Sequence, residues 1–213
     1  MSEPLIYELK PLSNILHMSS NNESSRINGR TIGLPPFQLA NSLLQTYETT
    51  LVALCPIVHI PTIRSLAKAT YLKLYDPKSI SASDIALLLS IFALGAFFSD
   101  PSPTSEVAKT EAESIALSKS FSRSALDALD YSRRSGSGTL ADVQAYLLMS
   151  LAFSHIDGFS TRSRMLFSSA VAMARDLRLH RLDEYSEPTT GVRAEIDREV
   201  KRRVFWYIAS EDW

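Results

Sequence analysis

The stretch IALLLSIFALGAFF, Ile85 to Phe98, constrains this chain more than any other. It holds no charged residue and no proline, yet it falls short of the roughly 20 residues that a bilayer-spanning helix needs. It therefore predicts a helix buried on most of its sides within a globular core. Ser81, three residues before Asp84, gives a start resembling a capping box, and Pro101 and Pro103 end the run.

Almost everything else from Leu34 onward has helical periodicity with a single apolar face. A first helix opens at LPP and carries Phe37, Ala40, Leu44, Tyr47, Leu51 and Leu54, ending at Pro56. After the connector CPIVHIPT, Thr62 is placed to cap a second helix bearing Ile63, Leu66 and Leu74. Beyond the apolar helix, a stretch from about Ser105 to Arg133 presents Ile115, Phe121, Leu126 and Leu129, until Gly136 and Gly138 break it. Thr139 with Asp142 starts a helix striped by Leu140, Val143, Leu147 and Leu151 and stopped by Gly158. Another runs from about Thr161 to Leu179 with Leu166, Ala170, Met173 and Leu177. The last begins near Thr190, with Val192, Ile196, Val200, Val204 and Ile208 recurring every four residues. No strand alternation or hairpin signal appears, so the predicted fold is an all-α irregular array of six to seven helices. Residues 1–33, rich in Ser, Asn and Gly, read as a disordered or linker segment, and 34–213 as the helical domain.

The balance of charge excludes several partner classes. Twenty-two basic residues face 23 acidic ones, giving a net charge of −1, so no global field draws the chain to nucleic acid or to an anionic membrane. The single cysteine, Cys55, rules out an internal disulfide framework and a cysteine-rich zinc module within these residues. The N-terminus has no secretory signal pattern. With 45% hydrophobic residues the chain has enough apolar material for a sizeable core.

No catalytic pattern emerges. Nucleophile elbow, zinc-binding H-E-x-x-H, phosphate loop and dinucleotide fingerprint are all missing from the sequence. Gly136 and Gly138 read as a helix-helix joint, since no strand precedes them and no lysine follows. His155 and Asp157 lie near a helix end, where a capping role suffices, and His59 reads as a core histidine bonded to backbone. Asp176 and His180 are spaced as a surface pair on one helix, and Cys55 as a small buried hydrophobe. Catalytic, metal and DNA-binding residues are accordingly predicted as none, and no cofactor-binding residue is singled out.

The terminal segment KRRVFWYIASEDW has two readings. Lys201, Arg202 and Arg203 with Phe205 and Trp206 could form a nucleic-acid-binding tail, or the segment is a helix of a packed domain. Two stretches favour the second. AVAMARDLRLHRL (Ala170 to Leu182) resembles the A-x-x-(M/L)-A-x-x-L-G-L-H-R signature of the fungal-specific transcription factor regulatory domain, the middle homology region of zinc-cluster factors. EVKRRVFWYIASED (Glu199 to Asp212) resembles the E-x-x-R-R-x-F-W signature that follows it there. Tyr47 through CPIVHIPT, ALGA (Ala93 to Ala96) and TLADVQAYLLMSL resemble three further family segments in the same order.

The resemblance implies a nuclear, non-enzymatic protein that regulates transcription, with an effector or protein partner acting on the helical domain. Zinc and DNA binding in the family belong to an N-terminal six-cysteine cluster that a chain with only Cys55 does not supply. The family domain ordinarily continues through further helices, so the chain is expected to be a C-terminally truncated form that self-associates, or takes a protein partner, through its last helix. Arg178 stands where the family has glycine, and a plain continuation of the helix is expected there. Leu177 and the Phe205–Trp206 pair are expected to fill one buried seam, where Ala170, Ala172 and Ala174 allow close approach and Arg202 and Arg203 reach Asp176. Two alternatives stay open: a helical interaction scaffold without transcriptional activity, and a domain that senses a small molecule.

Overall fold

The computed structural model describes residues 32–73, 80–136, 138–182 and 191–211. The linker reading of 1–33 falls almost wholly outside these residues, as do Leu74, Thr190 and Trp213. Seven α-helices follow one another: α1 Phe37–Thr50, α2 Ile60–Lys73, α3 Ala82–Phe97, α4 Glu111–Ser135, α5 Leu140–Asp157, α6 Thr161–Asp176 and α7 Val192–Glu211. A 3-10 turn, Leu179–Arg181, lies between the last two, and no strand occurs among the described residues. The all-α expectation holds.

The apolar run forms α3, and α3 is the hub. Every residue of it except Asp84 and Phe97 is buried, because α1, α2, α4 and α5 all pack against it. A helix that is apolar all round can be covered only by such a ring of neighbours. Ser90 sits in this core, fully buried, and its hydroxyl donates to the Ala86 carbonyl at 2.7 Å. Ser81 is the N-cap of α3, but its side chain makes no capping bond, so that part of the expectation fails.

The capping box at Thr139 is present in full. The Asp142 amide donates to Thr139 Oγ1 at 3.3 Å, and the Thr139 amide donates to Asp142 Oδ2 at 2.8 Å. Ser83 Oγ also donates to Asp142 Oδ2, at 3.0 Å, so the buried Asp142 carboxylate joins the start of α5 to the start of α3.

Other boundaries are corrected. Helix α4 starts at Glu111 rather than near Ser105, because the Thr110 side chain accepts from the Glu113 amide at 3.2 Å and fixes the first turn there. Its inner face is built from Ser114, Ser118, Ser122, Ala125 and Ala128 as well as Phe121 and Leu129. Leu126 and Ile115 are only half-buried. In the first helix α1 closes at Thr50, so Leu54 leaves the stripe and is 75% exposed. Thr62 lies inside α2 and does not cap it. Its hydroxyl meets His59 Nδ1 at 2.8 Å, and the His59 carbonyl accepts from the Ile63 amide at 3.1 Å. His59 is thus half-buried and bonded to a side chain, not a core histidine on backbone.

Candidate functional site

The last two signatures converge on one region, where the end of α6, the 3-10 turn and α7 meet. Ser160 caps α6 by accepting from the Ser163 amide at 3.3 Å, and Ala170 and Ala174 are its buried face. Ala172, grouped with them from the sequence, is exposed.

Helix α6 does not continue to Leu179. The Leu177 amide donates to the Met173 carbonyl and the Arg178 amide to the Arg175 carbonyl, both at 2.9 Å. Arg178 then takes the left-handed conformation, φ 55° and ψ 34°. It does what the family's glycine would do at this position, against the expectation of a plain helix. The reversal turns Leu179 inward, 2% exposed, and leaves His180 outside. Asp176 and His180 therefore do not share a helix, and the predicted surface pair is not formed.

Helix α7 buries Val200, Val204 and Ile208, with Ile196 half-buried beside them. Acid-before-base residues four apart pair along α7: Lys201 Nζ lies 2.5 Å from Asp197, and Arg203 Nε 2.9 Å from Glu199. Arg202 also meets Glu199, at 2.9 Å, so the acidic partner of this arginine pair is on their own helix rather than at Asp176. Hydrogen bonding from Arg203 is the main cause holding the Glu199 carboxyl below its usual range.

The seam is only partly as expected. Leu177 and Phe205 are half-buried, but Trp206 is 64% exposed and Val192 73% exposed. Stepping by four from Val200 reaches Val204 and Ile208. Trp206 lies two residues from each, about 200° round a helix, and faces away.

Between α6, the 3-10 turn and α7 lies an open cleft of about 360 Å³. Its walls are Val171, Ala174, Phe205, Ile208 and Ala209, with Arg175 and His180 as its charged and polar members. The other face of α7 reaches the first signature. The Tyr207 hydroxyl meets the sulfur of Cys55, and burial is the main cause that pushes the Cys55 thiol up to about 11. Such a thiol is neutral and inert at physiological pH. The Tyr47 hydroxyl is buried close by without a hydrogen-bond partner, and its ionisation is pushed well up, chiefly by burial.

His155 packs between Phe97 and Phe98, with ring centroids 5.7 and 5.0 Å away. Gly136 is the C-cap of α4. Among the described residues no group of three or more His, Cys, Asp or Glu side chains could hold a metal ion. None of their helices is long and apolar enough to cross a membrane.

Comparison with known proteins decides the family. The model of the fungal specific transcription factor domain matches residues 44–208, nearly all of the described helical body. The chain belongs to that family.

This fungal transcription factor domain is 37% identical over 187 residues to the probable transcription factor lepB of Aspergillus flavus, covering 85% of the chain and 33% of lepB. It is 31% identical to transcription factor TAS2 of Pyricularia oryzae, covering 85% of the chain and 24% of TAS2. It is 30% identical to the agnestins biosynthesis cluster transcription factor AgnL11 of Paecilomyces divaricatus, covering 84% and 26% of the two chains. The chain thus spans about a quarter to a third of the curated relatives it matches. No solved structure matches it.

In the domain the family segments hold one another. Gln144, from the third segment, donates from Nε2 to the Ile57 carbonyl of the first at 2.6 Å. Gly95, from the second, lies against the Leu43 backbone. Tyr207, from the last, meets Cys55 of the first. Sequence reasoning named these segments but missed these contacts, because each joins residues far apart in the chain.

Proposed function

We propose that this chain is the regulatory region of a fungal transcription factor, acting in the nucleus by binding a partner or effector rather than by catalysis. The observation that carries the proposal is the match over residues 44–208 to the fungal specific transcription factor domain. Relatives named as transcription factors support it. The near-neutral net charge of −1 argues against these residues gripping a nucleic-acid backbone. Zinc and DNA contact are assigned to a cluster module of the family outside these helices, and metal analysis of the purified chain should find no stoichiometric zinc.

The exposed side chains Trp206 and Val192 on α7 suit a protein contact, either with another copy or with further chain. The test is a fusion of the chain to a heterologous DNA-binding domain, read by a reporter gene in a fungal host. Reporter output should differ from that of the DNA-binding domain alone, and Val204→Asp, which places a charge in the core, should cancel the difference. Output identical to the DNA-binding domain alone would sink the regulatory reading and favour a helical scaffold without transcriptional activity.

A further inference from the structure

The cleft between α6, the 3-10 turn and α7 has the size and the chemistry of a ligand site. Its volume of about 360 Å³ lies at the small end of the ~300–1,000 Å³ range of small-molecule pockets. Five of the seven residues on its walls are apolar, and Phe205 supplies an aromatic surface. Arg175 and His180 bring the hydrogen-bond donors, and no carboxylate among the described residues pairs with the Arg175 guanidinium. On α7, by contrast, Lys201 is paired with Asp197, and Arg202 and Arg203 with Glu199. Arg175 is different in having none.

The backbone explains why these two donors share one mouth. Arg175 is the penultimate residue of α6, and the left-handed turn at Arg178 folds the chain back so that His180 lines the same cleft. A straight helix would have carried His180 a further turn away along the axis. A guanidinium with a free fork matches a carboxylate in two parallel bonds, and an imidazole can add a third. Two such donors against five apolar walls suit a single anionic group on an apolar body. They do not suit a sugar or a nucleotide, which would leave many polar groups without partners.

We propose that this cleft binds a small aromatic carboxylate, with the carboxylate on Arg175 and His180 and the ring against Phe205, Val171 and Ile208. This deepens the regulatory reading and rests on it for its biological consequence, but binding is measured without transcription. The experiment is calorimetric titration of the full chain with 2-naphthoate and with benzoate, and with 2-naphthalenemethanol as the neutral counterpart. At least one carboxylate should saturate a single site, and 2-naphthoate should bind more tightly than the alcohol. Arg175→Gln, at an exposed position, should weaken the carboxylates by roughly tenfold, the loss of one charge-assisted contact, and leave the alcohol unchanged. Phe205→Ala should weaken the naphthalene pair together.

Failure of both carboxylates to saturate would overturn the proposal. Equal affinity for 2-naphthoate and its alcohol, or indifference to Arg175→Gln, would do the same. A reporter fusion that responds while neither carboxylate binds removes this site and leaves the regulatory reading standing. Saturable, Arg175-dependent binding with an inert fusion does the reverse.

Discussion

A Cβ atom placed on Gly95 would lie 2.2 Å from the carbonyl oxygen of Leu43. Helices α1 and α3 cross there backbone to backbone, and only glycine permits it. The contact seats α1, which leads into the first family segment, on the second.

Gly95→Ala should therefore destabilise the domain by about 3 kcal/mol or more, the upper end of overpacking costs, because the opposing atom is backbone and cannot rotate away. Chemical denaturation measures it. A loss within ~0.5 kcal/mol, the range of neutral surface changes, would show that α1 slides freely on α3.

Arg178 is the opposite case, a non-glycine residue held at φ 55°. Arg178→Gly removes the steric cost of the left-handed conformation but loosens the unfolded chain, and the net gain should be about 0.5–1 kcal/mol. Thermal unfolding should rise accordingly. A lower midpoint would mean that the Arg178 side chain contributes more than its backbone costs.

Trp206 and Ile208 separate the outer and inner faces of α7. Ile208→Ala, at a position 6% exposed, should cost on the order of 2–5 kcal/mol. Trp206→Ala, at 64% exposed, should stay within ~1 kcal/mol for the monomer, and its effect should appear in association measured by light scattering. A large stability loss from the tryptophan change alone would restore the buried seam expected from the sequence.

Cys55 links stability to alkaline pH. Its thiol is raised from 9.0 to about 11 in the folded protein, first by burial. A raised folded value gives stability that is fully present below the unfolded value and is lost as pH rises through the folded one. Stability should thus fall between pH 9 and 11, with the buried Tyr207 and Tyr47 hydroxyls adding to the trend. Cys55→Ala should flatten that slope, seen by denaturation at several pH values. Native Cys55 should also resist thiol-specific alkylation until the protein unfolds.

What the sequence determined about this protein is local. The apolar run specified α3, since fourteen residues without charge cannot face water. Thr139 and Asp142 specified the start of α5, since a capping box closes within four residues. The acid-base spacing on α7 specified its ion pairs for the same reason, and the order of five short segments pointed to the family. Tertiary structure decided the rest. Ser114, Ser118 and Ser122 carry no apolar signal in the sequence, yet they are buried because α4 packs this face closely against α3. Trp206 read as core and faces outward, because Val200, Val204 and Ile208 take the buried face of α7 and Trp206 lies about 200° round the helix from Val204 and Ile208. Arg178 read as helix and breaks it, because burying Leu179 outweighs the cost of a left-handed residue. Hydrogen bonds between near neighbours can be read from spacing, whereas the choice of which apolar face to bury depends on partners that arrive from elsewhere in the chain.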